Sequence, residues 1–270
     1  DKGAFSAAST LSTDGGEIAL QGRLDTRSEA YGIELRCDSF PLNSFLPADS
    51  LGLLDLALQA GGSGFDPLRA QTRGNIRLQV DRAEFRGRDF GGVKLNANLE
   101  GGQLSGRLSD RDEALRLLLL ISGTLTERKQ EVRLTGNVFD FDLAELGISP
   151  QKIGGSFALE AGASASDAGS YTARIALDSI EVRTRHRTDR IRPTSLSLSS
   201  DTTATRAKLA SGDLSLAFVS PGPVDSLVPA LTRSTDILAQ QIRAQSVDME
   251  ALKPALPDFS LSVTAGRENI

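Results

Sequence analysis

The feature that most constrains this chain is an alternation of apolar and polar residues with a period of two. In a β-strand, successive side chains point to opposite faces, so each run places its apolar side chains on one face. The opposite face is rich in charged residues, Ser, Thr and Gln, which is typical of antiparallel strands with one dry and one solvated side. The runs are Ile33–Cys37, Leu54–Leu58, Ile76–Val80, Val93–Leu99, Leu115–Leu125, Val132–Val138, Tyr171–Leu177, Leu196–Leu198, Leu214–Phe218 and Leu261–Val263.

Glycine-rich pairs and clusters separate these runs, and glycine supplies the positive φ that tight hairpin turns need. Short connections of this kind predict a long antiparallel meander. We therefore expect a mainly β fold, with one segment over residues 1–150 and a continuation of the same sheet over residues 151–270. The predicted turns are Asp14–Gly16, Gly61–Gly64, Gly91–Gly92, Gly101–Gly102, Gly154–Gly155 and Ser211–Asp213.

One stretch departs from the period of two. From Val224 onward the apolar residues recur at steps of three and four, which predicts an amphipathic helix over about residues 223–245. Pro229 fits this helix only within its first turn or two. An amphipathic helix is compatible with a membrane surface, but its polar face lacks a basic stripe. We therefore favour packing of its apolar stripe, Val224, Leu227, Val228, Leu231, Leu238 and Ile242, on the sheet.

Three windows, Phe40–Phe45, Phe141–Leu146 and Val247–Leu252, resemble one another at steps of 101 and 106 residues. In each window we expect an apolar strand to run into a short helical turn. Asp142 and Glu145 have the spacing of a capping box. A repeated module and a chance similarity between strand ends both account for this pattern.

Composition and motifs argue against enzymatic, metal-binding and nucleic-acid functions. The net charge of −5 arises from 30 basic and 35 acidic residues, without the basic bias of nucleic-acid-binding domains. The chain lacks the Gly-x-Ser-x-Gly, His-Glu-x-x-His, Cys-x-x-Cys, EF-hand and P-loop motifs. His186 is predicted as an exposed strand-end residue, and Cys37 as a small hydrophobe on an apolar face. We predict no catalytic residue, no metal and no cofactor.

Two charged features remain. Asp110–Glu113 is predicted to be a solvated turn. A cluster of alternating arginines suits a lipid headgroup phosphate or an acidic partner, because guanidinium matches phosphate geometry. The alternative, which we favour, is the solvated outer face of an edge strand, where charge prevents aggregation. The cluster is Arg183, Arg185, Arg187, Arg190 and Arg192.

Several loose motifs occur in a characteristic order: Phe40–Pro47, Leu51–Leu58, Gly62–Pro67, Leu209–Phe218 and Val247–Pro257. Together they resemble the TamB group of the AsmA-like envelope proteins of Gram-negative bacteria. This resemblance implies a β-taco, an open roll of antiparallel strands with an apolar inner face, accompanied by one or two short amphipathic helices. It also implies an internal fragment of a longer periplasmic protein that is anchored to the inner membrane.

The same resemblance implies phospholipid transport to, and biogenesis of, the outer membrane, with an Omp85-type barrel as partner of the full-length protein. An alternative within the family is a scaffold or chaperone that pairs its strand edges with outer-membrane β-strands. We expect membrane and barrel contacts to be made by segments outside this chain.

An apolar groove without polar anchors suits acyl chains, which need no hydrogen bonds. Whether that face is open or filled distinguishes the conduit from the scaffold. A charged substitution at Leu119 leaves folding intact only if the face is an open groove. The candidate lipid-facing residues are Leu78, Val80, Leu95, Leu117, Leu119, Leu134 and Ile175.

Overall fold

The computed structural model describes residues 3–45, 51–166, 169–243, 248–253 and 256–266. Its architecture is an open antiparallel sheet with one long helix, which confirms the predicted mainly β fold. The strands are β1 (Ala4–Thr13), β2 (Gly16–Asp25), β3 (Ala30–Pro41), β4 (Leu51–Ser63), β5 (Arg73–Phe85), β6 (Arg88–Phe90), β7 (Val93–Glu100), β8 (Gln103–Arg111), β9 (Leu115–Leu125), β10 (Lys129–Asp142), β11 (Gly154–Ser166), β12 (Tyr171–Arg183), β13 (Thr188–Ile191), β14 (Thr194–Ser200), β15 (Ala204–Ser211), β16 (Leu214–Pro221) and β17 (Ser260–Thr264). The helices are α1 (Val224–Arg243) and α2 (Met249–Leu252).

The chain forms two compact units. The first unit comprises Asp1–Glu160 and Leu177–Ile191, and the second comprises Ala161–Ala176 and Arg192–Ile270. Strands β11 and β12 contribute residues to both units. The division into a β-rich segment over residues 1–150 and its continuation over residues 151–270 stays a prediction.

The first unit is a meander in which neighbouring strands along the chain pair antiparallel from β1 to β5 and from β7 to β10. Strand β5 also pairs with β7, while the short β6 folds back on the end of β5. Gly101 and Gly102 adopt φ values of 59° and 72° in the turn between β7 and β8. These left-handed conformations are the ones predicted for glycine in tight hairpins.

The second unit contains the ladder β14–β15–β16–β17 and both α-helices. A row of buried hydroxyls runs across three of these strands at Ser200, Thr205 and Ser220. Ser200 Oγ accepts the backbone N–H of Val224 at 2.8 Å, and Thr205 Oγ1 donates to the carbonyl of Gly222 at 3.0 Å. This hydroxyl row fixes the start of α1 to the end of the strands.

Helix α1 matches the predicted range of 223–245 closely and carries Pro229 in its second turn. The predicted apolar stripe is only partly packed. Leu227 and Ser234 are buried, whereas Val228, Leu238 and Ile242 are exposed. The buried face of the helix therefore includes the polar residue Ser234 and leaves out part of the predicted apolar stripe. The prediction that the whole stripe packs on the sheet is wrong.

Two other sequence predictions are also wrong. Gly61 and Gly62 lie inside β4, and Gly154 and Gly155 begin β11, so neither pair forms the predicted turn. A Cβ at Gly62 would overlap the backbone carbonyl of Arg73 on the neighbouring strand, so glycine is needed there for close approach and not for chain reversal. In the third repeat window, α1 and not a strand is the last regular element before α2; Val247 lies outside the described residues.

The first two windows do share a strand end followed by a short turn. A 3-10 helix at Leu42–Ser44 follows β3, and residues 143–147 turn after β10. Asp142 Oδ1 accepts the N–H groups of Ala144 and Glu145, as half of a capping box does. Glu145 does not complete the box, because its carboxylate pairs with Arg88 at 2.6 Å.

His186 lies in the turn between β12 and β13, not on a strand. The turn closes through the N–H of Thr184, which donates to the carbonyl of Arg187 at 2.9 Å. The arginine cluster consequently spans a strand end, a turn and a second strand. All five arginines are exposed, as the solvated alternative predicts.

Candidate functional site

The register of the first unit aligns apolar residues into straight rows that run across the strands. One of them is a row of seven leucines, one from each of β2, β3, β4, β5, β7, β8 and β9, which we call the leucine row. Antiparallel pairing places each of these residues directly opposite the next. The leucine row is Leu20, Leu35, Leu58, Leu78, Leu95, Leu108 and Leu119.

A row of smaller residues lies two positions along each strand from the leucine row and on the same face. Five of its nine members are alanine or glycine and the others are isoleucine or leucine, so we call it the small-residue row. A Cβ built at Gly22 would meet no atom within 4 Å, so this row has open space above it at β2. The small-residue row is Ala7, Gly22, Ile33, Ala60, Ile76, Ala97, Gly106, Ile121 and Leu134.

The structure places six of the seven candidate residues on this face. Leu78, Leu95 and Leu119 belong to the leucine row, and Leu134 ends the small-residue row. Val80 pairs with Val93, and Leu117 with Val138, on the other side of the leucine row. Ile175 lies in the second unit, where it is exposed.

Solvent accessibility changes across this face. Leu119 is 7% exposed, so it is buried, whereas Leu20 at the other end of the leucine row is 46% exposed. The other candidates are more accessible than Leu119: Ile175 is exposed, and the partly accessible ones are Leu78, Val80, Leu95, Leu117 and Leu134. A charged substitution at Leu119 therefore tests packing, and Leu20 is the better position for testing an open face.

The buried apolar side chains of the first unit lie toward the end of the sheet where β3, β8 and β10 finish, which we call the closed end. Phe40 stacks on Phe45 with ring centroids 5.0 Å apart, and Phe141 meets Phe157 edge-on at 6.0 Å. The buried apolar residues there are Cys37, Phe40, Ala114, Leu119 and Val138.

Hydrogen bonds connect the segments that meet at the closed end. Arg88 of β6 donates to both the carboxylate and the backbone carbonyl of Glu145, at 2.6 and 2.7 Å. Asp112 accepts the N–H groups of Gly91 and Ala114, at 3.0 and 2.8 Å. The opposite end of the sheet exposes Phe5, Leu24 and Val132, so we call it the open end.

Asp110 corrects the prediction of a solvated turn at 110–113. It is the penultimate residue of β8, is 8% exposed, and pairs with Leu117 on the apolar face. Burial raises the pKa of its carboxyl group, and the hydrogen bond from the N–H of Asp112 only partly offsets this effect. The period-two pattern carries the signal, because Asp110 has the same phase as Leu104 and Leu108.

Burial also raises the pKa of the Cys37 thiol, with a further contribution from the charge of Asp55. A raised pKa disfavours the thiolate, which is the nucleophilic and metal-binding form. Cys37 thus has the environment predicted for a packed hydrophobe.

A concavity of about 640 Å³ lies over β1–β5 and contains none of the seven candidate residues. It is lined by polar side chains and by small residues such as Gly32 and Gly61. The polar side chains that line it are Gln21, Arg23, Glu34, Gln59 and Asn75. Four of its other lining residues, Ala7, Gly22, Ile33 and Ala60, belong to the small-residue row, so the concavity includes part of the apolar face.

No family model, curated protein or solved structure matches this chain. Within the described ranges, no group of three or more His, Cys, Asp or Glu residues could hold a metal ion. None of the helices in the part of the chain that the structure describes is both long and apolar enough to cross a membrane.

Proposed function

We propose that this chain is a non-enzymatic segment of a TamB-like periplasmic protein, and that its apolar face carries phospholipid acyl chains. The observation that supports the proposal is the leucine row, which is continuous across seven strands and remains accessible at the Leu20 end. Accessible apolar surface of this extent is unusual in a monomeric protein and marks a binding surface.

The dimensions of the leucine row suit an acyl chain. Six spacings between neighbouring strands span roughly 29 Å. One leaflet of a bilayer has about half of the roughly 30 Å hydrocarbon core, so the row is long enough for a whole chain. Transfer from water contributes about 0.8 kcal/mol per CH₂, so a chain gains on the order of 10 kcal/mol without any polar contact.

Matched variants test this proposal. Leu20→Asp introduces a charge on the apolar face, and Gln21→Asp introduces the same charge on the opposite face of the same strand. Purification without detergent followed by native mass spectrometry should find phospholipid on the parent chain and on Gln21→Asp, but little on Leu20→Asp. Far-ultraviolet circular dichroism should show the same β content in all three.

A lipid-free parent protein, or equal lipid content in both variants, contradicts the conduit. In the conduit role the chain belongs to the periplasm and acts between the inner and outer membranes. In the full-length protein an Omp85-type barrel would receive the cargo.

A second function, the scaffold for outer-membrane β-strands, is supported by a different observation. Strand β1 carries no charged residue and is exposed at nine of its ten positions, and its pairing partner is β2. Natural sheets usually protect such an edge with charges or proline. Ser6→Lys adds a charge to this edge, on the face opposite the small-residue row, and should reduce capture of an unfolded barrel segment while leaving lipid content unchanged.

A further inference from the structure

The arginine cluster is not uniform, because most of its members are already paired with carboxylates. Arg183 pairs with Asp140. Arg187 pairs with Asp189 at 2.7 Å, and Arg190 with Glu181 at 3.0 Å. In each pair the carboxylate neutralises the arginine, so these three arginines attract a further anion only weakly.

Arg185 differs from these neighbours. Its side chain makes no hydrogen bond or ion pair with another described residue. The turn that carries it is held by Thr184 Oγ1, which accepts the backbone N–H groups of His186 and Arg187 at 3.4 and 3.3 Å. The backbone is thus ordered while the guanidinium group is unpaired.

Arg185 lines a cavity of about 290 Å³ between this turn and the segment before β11. Lys152 and His186 line it too, and all the lining residues belong to the first unit. Neither Lys152 nor His186 has a side-chain partner among the residues described. The remaining lining residues are Pro150, Gln151, Ile153 and Thr184, so no carboxylate faces the cavity.

The side chains of Lys152, Arg185 and His186 together favour a negatively charged ligand that accepts hydrogen bonds. Guanidinium and ammonium groups donate hydrogen bonds and accept none, and imidazole carries at least one N–H donor. Guanidinium presents a planar fork that matches two oxygens of a phosphate group, and lysine adds a point charge. The oxygens of an ionised phosphate accept hydrogen bonds from all three of these groups.

We infer that Lys152, Arg185 and His186 form a binding site for a phosphate group. The phosphate belongs either to a lipid headgroup or to a small soluble ligand, since both present the same oxygens. The site is independent of the leucine row and does not require the conduit function. An acidic protein segment is a different class of ligand, and binding of polyglutamate distinguishes it from a phosphate group.

The test compares two double variants that each remove two positive charges. Lys152→Gln with Arg185→Gln removes the cavity's cations, whereas Arg187→Gln with Arg190→Gln removes paired arginines outside the cavity. All four side chains are exposed, so both variants should keep the parent circular dichroism spectrum. The probes are inorganic phosphate, followed by ³¹P NMR titration, and vesicles of phosphatidylcholine with or without phosphatidylglycerol, followed by flotation.

We expect saturable binding of phosphate or of phosphatidylglycerol vesicles to the parent chain, weakened about tenfold or more in the cavity variant and less than about threefold in the control. Vesicle binding identifies a headgroup as the source, and phosphate binding without vesicle binding identifies a soluble ligand. Equal losses in both variants, or absence of binding to either probe, overturn the site. Binding of polyglutamate alone also overturns it, in favour of an acidic partner.

Discussion

Asp110 and Asp201 are carboxylates whose surroundings move their pKa values in opposite directions. Asp110 is buried on the apolar face, and desolvation raises its pKa. Asp201 turns the chain between β14 and β15, where hydrogen bonds from Thr203 and Ala204 lower its pKa to about 2. Each shift links the stability of the fold to pH, with opposite sign.

Because its pKa is raised, the protonated form of Asp110 is favoured more in the folded state than in the unfolded chain, so its ionisation destabilises the fold. This cost is present at neutral pH and disappears as the pH falls below the usual Asp pKa of 3.8. Asp110→Asn keeps an oxygen acceptor for the N–H of Asp112 and removes the charge. We expect a melting temperature higher than that of the parent at pH 7, and a difference that shrinks toward zero near pH 3. A constant difference across this range would contradict the assignment.

Asp201 has the opposite dependence, because its folded-state pKa is depressed. The stability it contributes is present above pH 3.8 and is lost as the pH falls toward 2. Asp201→Ala should therefore destabilise the β14–β15 hairpin at pH 7 and have little further effect near pH 2. Hydrogen exchange of Ala204 and Thr205 amides, measured at both pH values, checks this expectation. The comparison variant is Asp213→Ala, in the turn between β15 and β16.

At the scale of elements, buried hydroxyls connect α1 to the strands. Ser200→Ala removes the acceptor of the Val224 N–H and the partner of the Thr205 hydroxyl, which lies 3.0 Å away. Leaving a buried donor without an acceptor costs about 1–3 kcal/mol. We expect a loss of unfolding free energy in that range by urea titration, with increased exchange at the start of α1. Ser197→Ala, on the exposed part of the same strand, should change stability by less than about 0.5 kcal/mol.

A bulge in β3 is a second element with a specific support. Ser39 adopts a φ of 47°, and its N–H donates to Asp55 Oδ1 on the neighbouring strand. Asp55→Ala leaves that N–H without its acceptor, so we expect a destabilisation of about 1–2 kcal/mol in a denaturant titration. Asp38→Ala alters an exposed residue beside the bulge and should be nearly neutral. Equal effects of the two variants would show that Asp55 does not hold the bulge.

The period-two alternation predicted the strands, their antiparallel order and the face of Leu78 and Leu95, because these follow from the local geometry of extended chain. It misjudged Gly61 and Gly62, since a glycine needed for close approach of the neighbouring strand has the same signature as a turn glycine. The phase of Asp110 with Leu104 and Leu108 indicated its burial, but its place in a run of charges led to the prediction of a turn. The closed end depends on Arg88 bonding Glu145 and on Asp112 bonding Gly91, and no local pattern encodes such contacts.

The phosphate site illustrates the same limit. The arginines are evident in the sequence, but Lys152 lies far from them along the chain. Which cation is left unpaired depends on where Asp140, Glu181 and Asp189 lie in the fold. Sequence periodicity therefore identified the cluster as a feature and did not identify Arg185 as its distinct member.

At the scale of the whole molecule, few large side chains are removed from water. Within the described ranges the buried apolar residues are Cys37, Phe40, Ala114, Leu119, Val138, Ala204, Leu227 and Leu252. The heat-capacity change of unfolding scales with the apolar surface that folding buries. We expect calorimetry of the lipid-free protein to give less than about 12 cal/mol/K per residue, the low end for globular proteins. A value of 15 or more would mean that the apolar face is covered in solution.

The leucine row runs perpendicular to the strands, and each strand contributes one residue to it. Its length therefore depends on the number of hairpins and not on the length of any strand. Inserting one hairpin with the same alternation lengthens the row by two spacings, or roughly 9.6 Å. Pairing between sequential neighbours is set locally, so the strands on either side keep their register. The length of the row and its chemistry can therefore change independently: adding hairpins lengthens the row while the side chains on the apolar face stay the same.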